Sequence, residues 1–162
     1  MTDKQAFIKE KRKSFFRKGV AGKFVDIFFA NSKVIDEHPH FEKLESLDKL
    51  LVELNINSTM ADLFSGMVSN GFLFTITDFL TIMTLGHRNT TRQRTVSSQI
   101  DLKVFSINKS RIGEKMYVLT TAESFEGSTG HAYSYFYDKN YKLFAKGSQV
   151  VFYYPNKKIG EK

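Results

Sequence analysis

The run from Gly71 to Gly86, GFLFTITDFLTIMTLG, constrains this chain more than any other stretch. It is the longest apolar run and has a glycine at each end. Phe72, Ile76, Phe79, Leu80 and Met83 fall at i, i+4, i+7, i+8 and i+11, the spacing of one helix face. Apolar residues also occupy much of the opposite side, so a helix here is expected to be covered nearly all round. Its β-branched and aromatic residues would suit a strand, but strands seldom exceed about ten residues. A membrane span needs roughly 18 apolar residues, and this shorter run carries threonines and an acid.

That acid is Asp78, at mid-helix. An ionised carboxylate in apolar surroundings is costly unless it is paired or hydrogen-bonded. Two readings follow. Asp78 lies on a polar seam with Thr75, Thr77 and Thr81 at a subunit boundary, or it is a functional carboxylate that a rigid helix holds at the edge of a cleft.

A chain of 162 residues is long enough for one domain with a proper core. Sixteen phenylalanines and seven tyrosines, without tryptophan, make that core aromatic. The absence of cysteine excludes disulfides, thiolate zinc sites and cysteine nucleophiles. A net charge of +7 favours anionic partners. The positive residues are dispersed and no aromatic-basic recognition motif is present, so nucleic acid is not an expected partner.

Residues 1–40 read as a basic helical extension. Phe7, Ile8, Phe15 and Phe16 alternate with lysines and arginines over residues 1–19, with Gly19 and Gly22 as stops, and a second helix runs from Lys23 to Ala30. Asp3, Glu10 and Asp26 argue against a transit peptide, which leaves a retained docking helix. Residues 31–40 read as a polar connector, in which His38-Pro39-His40 lacks the further ligands a metal would need. The period then changes to two. Leu50, Val52, Leu54 and Ile56 alternate with Leu51, Glu53 and Asn55 in a half-buried strand, and residues 57–70 lead into the central helix. After an exposed basic linker, strands are expected over 96–107, 115–125, 131–137 and 141–154, separated by turn residues. One apolar helix followed by consecutive antiparallel strands predicts an α+β fold, a twisted sheet wrapped round that helix.

Over residues 44–154 the chain resembles the hotdog-fold acyl-CoA thioesterases of the phenylacetyl-CoA type. Asp48-Lys-Leu-Leu-Val-Glu-Leu-Asn-Ile56 is similar to the family's first long strand. Gly66-Met-Val-Ser-Asn-Gly71 lies where the family has Gly-x-x-His-Gly-Gly, and Asp78 lies seven residues on, at the place of its catalytic carboxylate. Ser98-Gln-Ile-Asp-Leu102 resembles the strand after the helix. Ser110-Arg-Ile-Gly-Glu114 and Lys142-Leu-Phe-Ala-Lys-Gly147 resemble its Pro-Ala-x-x-Gly-Glu turn and Lys-Leu-x-Ala-x-Gly ending.

The resemblance implies a hotdog domain over 41–162 that hydrolyses acyl-CoA to fatty acid and coenzyme A, with the latter only as part of the substrate. Backbone N–H groups at Ser69, Asn70 and Gly71 would polarise the thioester carbonyl, since a helix N-terminus offers free donors and partial positive charge. Asp78 lies about 10 Å along the axis from Gly71. The resemblance therefore takes the carboxylate from the facing subunit and implies a homodimer, a higher oligomer or a heterodimer with another hotdog chain. It places Gln99 where the family has a serine near the substrate. Arg92, Arg94, Lys109 and Arg111 are candidates for the coenzyme A phosphates. Three features depart from the pattern: Ser69-Asn70 stands for His-Gly, Leu63 for an upstream Asn or Gln, and Gln99 for the serine. The departures and the basic extension carry an alternative, a catalytically silent hotdog subunit of a larger mitochondrial assembly, respiratory or ribosomal. A mitochondrial location is expected, with the cytoplasm as the alternative.

Overall fold

The computed structural model describes residues 20–42, 44, 46, 48–86, 94–107 and 109–154, without the side chains of 20–23, 25 and 94. The basic helix expected over residues 1–19 and the linker 87–93, with Arg92, lie outside the described residues. The elements are α1 (Val20–Ala30), β1 (Ser32–Ile35), β2 (Lys49–Asn55), α2 (Asn70–Leu85), β3 (Arg94–Val104), β4 (Lys115–Glu126), β5 (Thr129–Tyr137) and β6 (Leu143–Tyr154). The strands form one sheet in the order β1-β2-β4-β5-β6-β3, antiparallel throughout.

The inner face of the sheet follows from strict alternation. Ala132, Ser134 and Phe136 of β5 and Ala145, Gly147, Gln149, Val151 and Tyr153 of β6 are buried, while the residues between them are partly or fully exposed. Central helix α2 lies against this face. Ten of its residues are buried, among them Phe72, Leu73, Ile76, Phe79, Leu80 and Met83. Thr77 and Thr84 are buried without loss because their hydroxyls donate to the carbonyls of Leu73 and Leu80, at 2.9 and 2.8 Å. Helix α1 covers the other side: Phe28 meets Phe79 edge-on with ring centroids 5.1 Å apart, and Phe24 lies 6.0 Å from Phe72. Each such buried ring contributes on the order of 2 kcal/mol, and each aromatic pair about 1 kcal/mol more.

One glycine sets how closely helix and sheet approach. A Cβ on Gly147 would lie 2.6 Å from Thr77 Cγ2 and 2.9 Å from Thr77 Cβ, closer than packed atoms can come. Glycine therefore lets α2 settle on β6 at the point where Asp78 begins.

Two expectations need correction. Residues 31–40 are not only a connector, because Ser32–Ile35 pairs with Leu51–Leu54 as β1. Four residues are too few to show a period, and the strand forms because β2 offers an open edge. Gly22 does not stop a helix but lies within α1. A glycine inside a helix costs at most about 1 kcal/mol, which the phenylalanine packing of α1 exceeds. His38 and His40 sit in a ring cluster with Phe41, Tyr117 and Tyr141, where His40 stacks on Tyr141 at 4.0 Å.

Candidate active site

The N-terminus of α2 is held from two sides. Residues 60–69 form a hairpin-like turn, with Ser69 N–H donating to Met60 O at 3.0 Å and Asp62 N–H to Met67 O at 2.8 Å. Val68 N–H donates to Ser110 O at 2.8 Å and Ile112 N–H to Gly66 O at 3.0 Å, which ties the turn to residues 109–113. The Asp62 carboxylate accepts from the N–H groups of Ser65 and Phe64, and these bonds hold it below the usual carboxylate range.

Ser69 is the N-cap, extended at φ −78° and ψ 149°, and its hydroxyl accepts from Phe72 N–H at 3.1 Å. Its carbonyl accepts from Leu73 N–H at 3.1 Å. The N–H groups of Asn70 and Gly71 are then the free donors of the turn. They have no partner among the described residues, and both residues are exposed. Open space lies where a Gly71 side chain would be. Lys109 Nζ donates to Asn70 Oδ1 at 2.9 Å, which brings a cation to the same helix end. Arg111 is close in the fold, since its neighbourhood bridges to Met67, and its N–H donates to Glu114 Oε2 at 2.9 Å. The Glu114 carboxyl is held low by Lys139 first and by that N–H second.

Asp78 occupies the half-buried edge of α2 facing β3 and β6. Its Oδ1 accepts from Ser97 Oγ of β3 at 2.8 Å and from Gln149 Nε2 of β6 at 2.5 Å. Gln149 Nε2 also lies 2.6 Å from Ser97 Oγ, and Thr81 Oγ1 donates to Gln149 Oε1. Gln149 is 1% exposed, so this is an interior network around one carboxylate.

Ser69, Asn70, Gly71 and Lys109 thus gather at one helix end, the backbone of Arg111 pairs with Met67 just before it, and Asp78 stands about 10 Å along the axis. Gln99 belongs to neither group. It is exposed and donates to Asp101 Oδ2 at 2.6 Å. A register shift between Ser97 and Gln99 reverses the facing of β3, so that Ser97 meets Asp78. Arg94 opens β3 opposite Tyr154, and its side chain lies outside the described residues. Sequence reasoning missed Ser97 and Gln149. The bulge hid the serine, whereas Gln149 was visible as a lone amide at an inward position between Gly147 and Val151.

An antiparallel sheet wrapped round one long helix is the hotdog fold, the fold that solved thioesterase superfamily members share. Mouse thioesterase superfamily member 2 superposes with a TM-score of 0.69 at 18% identity, over 94% of this chain and 98% of that one. The zebra fish protein of the same name gives 0.68 at 16% identity, over 90% and 94%. A hypothetical thioesterase protein from Streptococcus pneumoniae, solved with coenzyme A, gives 0.63 at 12% identity, over 83% and 93%. At these identities the likeness is one of fold. No family model matches the sequence, and no curated protein matches it.

Proposed function

We propose that this chain is an acyl-CoA thioesterase that works as a dimer, with Asp78 of one subunit facing the helix N-terminus of the other. The observation that carries the reading is the ordered carboxylate: Asp78 is tied through Oδ1 alone to Ser97 and Gln149. Such a group suits a general base. Asp78 takes a proton from water, and the resulting hydroxide attacks the thioester carbonyl. The N–H groups of Asn70 and Gly71 hold the oxyanion. The C–S bond then breaks, and the thiolate leaves with a proton returned from Asp78. Lys109 and Arg111, beside that helix end, provide cations for the coenzyme A phosphates.

Within one chain the two groups are too far apart to act on one carbonyl. A second subunit meets that need, and β3 is the sheet edge from which it would come. Val96, Val104 and Phe105 are exposed along or next to that edge. The test is release of free thiol from a panel of acyl-CoAs. Asp78→Ala is expected to lower turnover by about 100-fold or more; unchanged turnover would remove Asp78 from the mechanism.

A second reading rests on Leu63 and Phe64, which are 89% and 100% exposed at the tip of the turn before α2. An apolar tip suits contact with another protein, as in a catalytically silent subunit of a larger mitochondrial assembly. Native particle size and fractionation of cell extract separate the two. A mitochondrial particle far larger than a tetramer and without thioesterase activity favours the second.

A further inference from the structure

The amide of Gln149 has only one arrangement that satisfies its neighbours. An ionised carboxylate accepts and cannot donate. The end of Gln149 that lies 2.5 Å from Asp78 Oδ1 is therefore its NH2 group. The opposite end faces Thr81, whose hydroxyl donates to Oε1. That hydroxyl has one proton, so the bond is made in place of a back-bond to Thr77 O, which lies 2.6 Å away. The two Nε2 protons go to Asp78 Oδ1 and Ser97 Oγ. The single Ser97 proton goes to the same Oδ1. Both donors that reach the carboxylate end on Oδ1, and among the described residues none reaches Oδ2.

The geometry points to Gln149 as a positioning residue that fixes the plane of the Asp78 carboxylate and leaves Oδ2 as the oxygen that takes the proton. This rests on the thioesterase reading given above and adds a residue to it. It also assigns Ser97 a role. Its hydroxyl is held as a donor to Asp78 and an acceptor from Gln149, and so it is an orienting group and not a nucleophile. Gln149 suits the task because it comes from β6, the strand inside the edge. A partner pairing along β3 would leave it in place. Gly147, two residues earlier on β6, brings helix and strand close enough for the amide to reach.

The test is kinetic and uses the full chain. Gln149→Met keeps the length and removes both donors. It is expected to lower kcat by about 10- to 100-fold, the scale of one hydrogen bond to a charged group, with KM within about twofold. Ser97→Ala should cost less, because Ser97 Oγ is itself held in place by Gln149 Nε2, which still reaches Oδ1. Adding Ser97→Ala to Gln149→Met should cost less than it does in the wild type, since the two act as one network. Thr81→Val removes only the hydroxyl that orients the amide and should also lower kcat at constant KM. It serves if Gln149→Met does not fold, as judged by thermal unfolding. An unchanged kcat in a folded Gln149→Met protein, or a change confined to KM, overturns the assignment. So does an unchanged kcat in Thr81→Val if that is the variant that folds. Ser97→Ala as damaging as Asp78→Ala, with Gln149→Met active, would make Ser97 the reacting group. Wild-type protein without turnover on any acyl-CoA would instead overturn the thioesterase reading, and the catalytic use of Gln149 with it.

Discussion

Gly147→Ala tests the closest contact in the fold. The added Cβ would lie 2.6 Å from Thr77 Cγ2 and 2.9 Å from Thr77 Cβ, with Thr77 Oγ1 nearer still. Thr77 cannot turn away cheaply. It is 0% exposed, and its hydroxyl is bonded to Leu73 O at 2.9 Å. Helix and sheet must therefore part by several tenths of an ångström. Overpacking of a close-packed core costs about 1–3 kcal/mol, and the rigid neighbour places this case at about 2–3 kcal/mol. For a chain of this size that corresponds to roughly 5–10 °C in Tm. Urea unfolding should show a lower midpoint with an unchanged m-value. Thr77→Ala removes both Cγ2 and Oγ1. In combination it should return about 1–2 kcal/mol relative to the sum of the single changes. A Gly147→Ala protein within about 0.5 kcal/mol of wild type would show that the interface yields, and the close-approach argument would fail.

Three further outcomes follow from the structure. The Tyr153 hydroxyl is buried without a partner among the described residues, and burial pushes its pKa up to about 12; Tyr153→Phe should be neutral or more stable by about 1 kcal/mol in urea unfolding, and a loss of that size would reveal a missed bond. His38 is held below its ordinary 6.5, first by burial and then by the neighbouring His40. The unfolded chain therefore takes its proton first as pH falls, so this contribution is intact above about 6.5 and is lost from there down to the lowered folded value. Unfolding midpoints at pH 7.5 and 5.5 should differ less in His38→Phe, and an equal difference would refute the linkage. Leu102 of β3 faces the core opposite Gly147, at the edge that pairs in the dimer reading. Leu102→Pro should give monomer or aggregate by analytical ultracentrifugation, and a retained dimer would refute edge pairing.

The helix and the long strands were legible because each rests on a local pattern. Phe72, Ile76, Phe79, Leu80 and Met83 recur at helical spacing whatever surrounds them. Asp78 was legible for a related reason, since the cost of a carboxylate among apolar residues arises at the residue itself. Its partners were not. Ser97 and Gln149 lie 19 and 71 positions further along the chain, and whether they face Asp78 depends on strand register. In an unbroken strand, residues two apart share a face, so the inward Ile100 and Leu102 would turn Ser97 outward, and only the likeness to the family put Gln99 near the substrate. The bulge adds one residue between Ser97 and Gln99, and a slip of one reverses every side chain beyond it. An inward hydroxyl and an outward amide are the result, and no turn residue announces the change. Gln149 needed no such irregularity. Strand β6 buries Ala145, Gly147, Val151 and Tyr153 on the same face, and an amide among them has to find partners. The partners available on that face were the threonines and the acid of the central helix. Taken as a cost to be satisfied, Gln149 leads back to Asp78 from the strand side, just as Asp78 leads outward from the helix.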